Sequence, residues 1–472
     1  MYIVPHQYSI RLHHCRSRFK NQIEDVLLYM ASEICSIGEK PDSEFDSELF
    51  KAIKIFPGNS SKKDKTIDNW RTEICTLLGL VQYSKNGNCK PSKMAETLNN
   101  KQDLIEFFRY FCFKFQYPGG HVKKEETARL INKGVKFKPV NFLLKLMLEG
   151  NKKSGGKFGL TKAEATHCIF NDLRVIRDGQ SPEKTLDLIL KNRKNKIEYN
   201  SSGDVVRYAG DILDYMQLAN LVSLKPNNHY YIKTHEFEVI KSFTESNDYF
   251  PAYEPFYTNK NATPEDILKT QKAWFDYVNK DLDKSLFESD ILEILTDISQ
   301  SEEQKDSVFI QAMIANINKK QKQNGKIKTK EIGDTGESIA IQHEQIRLSN
   351  MGRKDLARKV IKLPEQYAAG YDINSFKGVS EIKRCIEVKT TISKNKLQTS
   401  RFHMTPNEWG AAETFRENYY IYRLMISSDE VKLFVIIDPV GKYKTDKLEM
   451  TPRNGVDITY SEKSGQVEEL FA

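Results

Sequence analysis

The chain has 472 residues, 39% of them hydrophobic and 29% charged, which suits a globular protein of roughly two to four domains. Against 72 Lys and Arg stand 64 Asp and Glu, a net charge of +8, and no apolar run approaches the ~20 residues of a membrane span. Seven scattered cysteines without a Cys-x-x-Cys pair exclude a disulfide-built scaffold, and the start Met1-Tyr2-Ile3-Val4-Pro5-His6 has no signal-peptide layout, so a reducing, cytoplasmic location is expected.

The charge is unevenly spread. Residues 331–472 hold 21 basic and 21 acidic residues, leaving 51 and 43 in 1–330, so the whole positive excess lies upstream. A basic excess suits a phosphate-backbone partner, although +8 is also ordinary for so long a chain.

In chain order, Phe19, Ile23, Val26, Leu27 and Met30 have helical spacing. Around 66–98, Thr66-Ile67-Asp68 opens a helix ending near Gly79, residues 80–83 read as a short strand, and Asn86-Gly87 is a turn. Lys90-Pro91-Ser92-Lys93 then returns into a further helix, the pattern of a winged helix. Residues 101–148 are dense in Phe and Leu and predict buried helices; a base-stacking platform is the other use of such a stripe. A basic connector at 152–157 follows, then the capping box Thr161-Lys162-Ala163-Glu164 and the helix start Ser181-Pro182-Glu183. A helical pattern over 205–220, a strand at 221–224, a turn at Pro226-Asn227-Asn228 and a strand at 230–232 make a second winged-helix-like unit. Such a unit can put a helix in the major groove or serve only as a packing module. Residues 264–318 read as helical, and the polar, basic run 319–330 as a linker, either a solvated tether or a contact to DNA phosphates. His13-His14-Cys15 has no second ligand pair at zinc-site spacing.

The chemistry lies in 370–391. Lys383-Arg384-Cys385-Ile386-Glu387-Val388-Lys389-Thr390-Thr391 alternates with period two, placing Cys385, Glu387, Lys389 and Thr391 on one strand face and Ile386 and Val388 on the other. A hairpin from Gly370-Tyr371-Asp372-Ile373 brings Asp372 near Glu387. Two carboxylates can hold a hard divalent cation, and a lysine beside them can orient a water or balance charge on a phosphate. A solvated cross-strand ion pair is the bland use of Glu387 and Lys389. Glu430-Val431-Lys432 repeats the Glu-x-Lys spacing but follows no Gly-Tyr-Asp-Ile, and is rejected. Downstream, Phe402-His403-Met404 reads as a strand, Thr405-Pro406-Asn407-Glu408 as a capped helix start, and 419–426 and 431–438 as apolar strands. His403 and Gln398 could approach a substrate, with structural roles the alternative.

The order Asp372…Glu387-x-Lys389 resembles the PD-(D/E)xK nucleases, with Tyr371 where the name's proline would stand. From Gly333-Asp334-Thr335-Gly336-Glu337 to Glu408-Trp409 the stretch is similar to the Mrr-like nuclease domains of restriction enzymes, and the upstream layout resembles AlwI-type restriction and nicking enzymes. The resemblance implies a multidomain fold: a mostly α-helical N-terminal arm with two winged-helix-like units, then an α/β restriction-endonuclease-like core with a mixed sheet. The expected domains are 1–120 and 121–260 for DNA recognition, 261–330 as a helical and basic linker, and 331–472 as the nuclease. The resemblance also implies a type II restriction endonuclease cutting a specific double-stranded DNA sequence. Asp372 and Glu387 would bind Mg2+, Lys389 would steer the water or stabilise charge, and Glu337 would approach the site from the first core helix, a favourable charge at a helix N-terminus being its other use. Thr391 is a candidate outer donor. A double-strand cut needs a homodimer, a transient dimer on DNA or two binding events, and a DNA methyltransferase is expected as the companion. The alternatives are a non-catalytic DNA-binding regulator with a structural nuclease-like domain, or a modification-dependent (type IV) endonuclease. A nucleotide-driven motor is not expected, since no Gly-x-x-x-x-Gly-Lys-[Ser/Thr] loop is present.

Overall fold

The computed structural model describes all residues except 13–14, 16, 18, 202–206, 283–284, 300–309, 312–313, 316–331, 379, 398–399, 428–429, 454 and 471–472. His13, His14, Gln398 and the expected linker at 319–330 therefore lie outside the described residues. Two compact units form, Met1–Thr97 with Leu104–Phe287, and Leu98–Asp103 with Glu288–Ala472.

The first unit is built on the helix Leu104–Lys114, every residue of which is buried. Its phenylalanines fill the interior: Phe113 meets Phe243 and Phe287 at ring-centroid distances of 5.4 and 5.3 Å. The aromatic stripe is thus core. Arg109, 1% exposed, pairs with Glu236 and donates to the Ala219 carbonyl at 3.1 Å, so its charge is satisfied inside that core. Two small antiparallel hairpins follow helices as the sequence predicts. Val81–Tyr83 pairs with Cys89–Pro91 across Asn86-Gly87 after the helix Asp64–Thr72. Val222–Leu224 pairs with Tyr230–Ile232 after the helix Arg207–Leu218. The second hairpin gains a third strand, Gly159–Leu160, hidden in the sequence by its two-residue length. The capping box at Thr161 and the serine cap at Ser181 both form.

Two boundaries differ from expectation. Apart from Leu98–Asp103, residues 1–120 and 121–260 fall in one unit, with the buried 104–114 helix in its core. The start of the expected 261–330 linker is also core: Ala262, Ile267, Trp274, Tyr277 and Val278 pack with Ala128, Ile131, Phe250 and Tyr253.

Besides the helices Ile291–Ser299 and Lys354–Ala357, the second unit has, in chain order, α1 (Ile332–Asn350), β1 (Ile361–Lys362), β2 (Ile373–Phe376), β3 (Lys383–Ile392), β4 (Arg401–Met404), α2 (Pro406–Phe415), β5 (Tyr419–Ile426), β6 (Val431–Ile437), α3 (Pro439–Lys444), β7 (Leu448–Arg453), β8 (Gly455–Tyr460) and β9 (Gln466–Glu468). Its main sheet has the order β9-β6-β5-β3-β2-β1 and is mixed. The pair β3–β5 is parallel, reached through α2, and the other pairs are antiparallel. β4 is not part of it but joins a three-stranded sheet, β7-β8-β4.

Both faces of the main sheet are covered. On one, Cys385 of β3 lies in a core with Phe402, Met404, Ala412, Ile458 and Tyr460. On the other, α1 approaches so closely that a Cβ at Gly336 would stand 1.9 Å from Thr390 Oγ1, so glycine is required there. Ile386 is fully buried under this helix and Val388 half-buried.

That second face carries a buried polar knot. Glu344 of α1 accepts from Arg347 (2.7 Å to each oxygen), Arg384 (3.0 Å), Tyr422 (2.6 Å) and Ser375 (2.5 Å). Burial alone would raise its carboxyl, but the Arg347 hydrogen bonds and the two guanidinium charges outweigh that and hold it at about 2. With the folded value depressed, the contribution to stability is full above the ordinary carboxylate range and is lost as pH falls towards about 2. Glu344→Ala leaves Arg384 buried without its partner and is expected to destabilise the protein by about 3–5 kcal/mol, read as a lower urea midpoint at neutral pH that converges on wild type in strong acid.

Candidate active site

β3 carries the candidate residues, and its neighbours fix them. Asp372 precedes β2; its N–H donates to the Ile386 carbonyl at 2.9 Å and its Oδ2 accepts from the Val388 N–H at 2.8 Å. The carboxylate is thereby held against β3 at Glu387. Gly370 makes this approach work. It stands at φ +73°, where L side chains are strained, and an added Cβ would lie 2.4 Å from the Asn407 carbonyl. Tyr371 packs on Phe415 at 5.5 Å rather than facing the site.

Lys389 joins the group. Its Nζ lies 2.8 Å from Glu387 Oε1 and 2.7 Å from Glu408 Oε2. Glu408 is the residue that sequence reasoning missed. Its capping box with Thr405 forms as read: Oε2 accepts from the Thr405 N–H at 3.1 Å while Glu408 N–H donates to Thr405 Oγ1 at 3.3 Å. The same Oε2 also receives Lys389, and no sequence spacing signals that second use.

The electrostatics follow from burial. Glu387 is 4% exposed, and burial pushes its carboxyl well up; Lys389 opposes the rise while the charges of Asp372 and Glu408 add to it. Burial also raises Asp372, against the Val388 N–H and the charge of Lys389. For Lys389 burial disfavours the ammonium, but Glu387 and Glu408 more than offset it, so its pKa rises and it stays protonated. Asp372 Oδ1 and Glu387 Oε2 accept no hydrogen bond among the described residues.

The other expected residues are placed as follows. Glu337, on the first turns of α1, pairs with Lys362 of β1 at 2.7 Å, and the charge of Lys362 acts on Asp372. Thr391 donates to Gln102 and accepts from Arg423, so it is engaged inside the fold. His403 is oriented by buried Asp457 at 2.8 Å, which Arg401 also pairs at 2.7 Å. The decoy Glu430 pairs with Lys396 at 3.2 Å on the surface, away from this cluster. Among the described residues no three His, Cys, Asp or Glu side chains form a ready metal cluster. No helix among them is long and apolar enough to cross a membrane.

The first unit has its own cleft, a cavity of about 800 Å³ with Trp70 and Ser17 in its wall and Lys62, Lys65, His121 and Lys123 around it.

A family model described as the N-terminal part of restriction endonuclease BpuJI matches residues 2–275. A second, described as the C-terminal part of the protein NO VEIN, matches residues 336–436, a span that holds Glu337, Asp372, Glu387, Lys389 and Glu408. A crystal structure of the BpuJ1 endonuclease binding domain in complex with pyrene- and phenanthrene-modified DNA shares the fold, with a TM-score of 0.50 and 22% identity over 58% of this chain and 99% of that one. None of the curated proteins compared matches. These findings define a restriction-enzyme-like protein. The chain belongs to the family of the restriction endonuclease BpuJI N-terminal region, whose match spans more than half of it.

With both carboxyls raised, the native cluster retains protons that the unfolded chain has released above the ordinary carboxylate range. Stability is therefore lost as pH rises through that window. Glu387→Gln is expected to raise the melting temperature of metal-free protein at about pH 8, with the gain closing towards about pH 5. A melting temperature unchanged or lowered at the higher pH would contradict the charge balance described.

Proposed function

We propose that the chain is a Mg2+-dependent type II restriction endonuclease, hydrolysing phosphodiester bonds at a specific double-stranded DNA sequence. The observation that carries this is the convergence of Asp372, Glu387 and Lys389 on one buried sheet face in a chain of a restriction endonuclease family. In PD-(D/E)xK nucleases this residue set performs hydrolysis. An intact set weighs against the DNA-binding regulator.

The donor set suits a hard cation. Three carboxyl groups face one ammonium, and two of their oxygens make no hydrogen bond among the described residues. Asp372 and Glu387 would hold Mg2+, a hard cation suited to oxygen ligands. Bound there, the ion supplies a water of lowered pKa and offsets charge on the scissile phosphate. Lys389 remains protonated and sets a positive charge against the charge that develops in the transition state. Glu408 gives that ammonium a second carboxylate partner, which would hold it in place were Glu387 engaged by a cation. Glu337 acts through Lys362, whose charge reaches Asp372.

The first unit supplies DNA binding. The BpuJ1 domain that shares its fold was crystallised with DNA, and each helix followed by a small hairpin would serve as a winged-helix-like module placing a helix in the major groove. Lys65 and Lys123 beside its cleft contribute phosphate contacts. One cluster per chain cuts one strand per event, so a double-strand cut takes two chains or two events, and a companion methyltransferase protects the host's own sites.

Asp372→Ala, Glu387→Ala and Lys389→Ala are each expected to slow plasmid cleavage by at least about 100-fold while DNA affinity stays within about twofold, and chelation of Mg2+ does the same. Cleavage retained in all three variants removes the proposal. Replacing Lys65 and Lys123 together by Ala is expected to weaken DNA binding across sequences and to lower the log–log salt slope by about 2.

A further inference from the structure

Beside Lys389 on the site face of the main sheet stands Arg423, its register partner on β5. Arg423 is completely buried, in a strand whose other side chains are aromatic or aliphatic. Among the described residues no carboxylate pairs with it. Its guanidinium donates to the Lys389 carbonyl at 3.0 Å, to Thr391 Oγ1 at 2.5 Å and to Gln102 Oε1 at 2.9 Å, while Nε makes no hydrogen bond. Burial lowers its pKa, as it must for a charge held only by neutral acceptors.

Gln102 closes this arrangement. Its Oε1 receives both Arg423 and the Thr391 hydroxyl, two donors that fix which end of the amide faces inward. Its own carbonyl accepts from the Ile392 N–H at 3.2 Å, and Asp103 bridges Ile392 as a parallel partner. Asp103 is anchored in turn by the Ser289 N–H at 3.0 Å and hydroxyl at 2.7 Å. Gln102 stands at φ 52°, a left-handed conformation that a non-glycine residue adopts only where contacts hold it. The segment Leu98–Asp103, far upstream in sequence, thus belongs to the second unit and ends on its central strand.

We propose that Gln102, Thr391 and Arg423 form a clamp on the end of β3, and that Gln102 is a positioning residue for Lys389. Arg423 binds the backbone carbonyl of Lys389 itself, so the guanidinium sets where the lysine side chain begins. Gln102 Oε1 keeps the guanidinium there. Without that oxygen two buried donors lose their acceptor, and the strand end moves to pair them again. The effect on cleavage rests on the nuclease reading; the effect on Lys389 does not.

The test uses the full chain with Gln102→Leu, which removes the oxygen, and Gln102→Glu, which keeps it. Two readouts are taken: steady-state cleavage of plasmid DNA with Mg2+, and acylation of Lys389 by acetic anhydride followed by mass spectrometry. Gln102→Leu is expected to lower kcat by about tenfold with KM unchanged, and to raise the acylation rate of Lys389 by about tenfold as it loosens from Glu387 and Glu408. Gln102→Glu is expected to stay near wild type in both. Unchanged Lys389 acylation in Gln102→Leu overturns the clamp, as does loss of both properties in Gln102→Glu. If the wild-type chain cuts no DNA, acylation alone decides the clamp, and the nuclease reading fails separately. If Gln102→Leu does not fold, Thr391→Val, which removes one hydroxyl from the same knot, is expected to raise Lys389 acylation, and no rise overturns the proposal.

Discussion

A single ammonium shared by two acids holds the candidate site together. Lys389 lies between Glu387 of its own strand and Glu408 of the following helix, and the sheet face on which they meet is largely sealed from water. Burial works against every charge in this group, so none of them would be stable in its ionised form alone. The lysine lets two carboxylates stay close, and the backbone N–H of Val388 does the same for a third. What is left over is carboxyl groups without a matching cation, and burial raises the pKa of two of them.

The surrounding fold serves this charge arrangement. Gly336 lets α1 lie flat against Thr390, and Gly370 lets the turn before Asp372 lie against the first turn of α2. The Thr405 capping box then has two consequences at once, since it begins the helix and aims Glu408 at the strand. The two faces of the sheet solve similar problems differently. Around Glu344 the charges are matched by two arginines and two hydroxyls, and the carboxyl is strongly acidic; around Glu387 they are not matched, and the carboxyl is raised. The two faces thus differ in how their buried carboxyls are compensated: matched around Glu344, unmatched around Glu387.

Much of this was legible in the chain. Period-two alternation located β3, and Gly-Tyr-Asp-Ile before it located Asp372, because both signals are local. Caps at Thr161, Ser181 and Thr405 were legible for the same reason. Glu408 was read only as a cap, since its meeting with Lys389 depends on a helix packing across a strand. Gln102 could not be found at all, for its contacts cross most of the chain. Arg423 did leave a signal. One charged residue inside Tyr-Tyr-Ile-Tyr-Arg-Leu-Met-Ile is an anomaly in a strand that otherwise reads as wholly buried. The boundary expected at 120 follows the buried helix at 104–114 directly, and the compact unit that holds this helix continues to Phe287.

The main sheet ends on either side in a very short strand, two residues at Ile361–Lys362 and three at Gln466–Glu468. Each outer rim therefore offers few free backbone groups, too few to template a continuous ladder with another molecule. Ile361 and Val467 lie open to solvent there, but without a long rim behind them. The rims of this main sheet are accordingly poor places for a second molecule to add a strand.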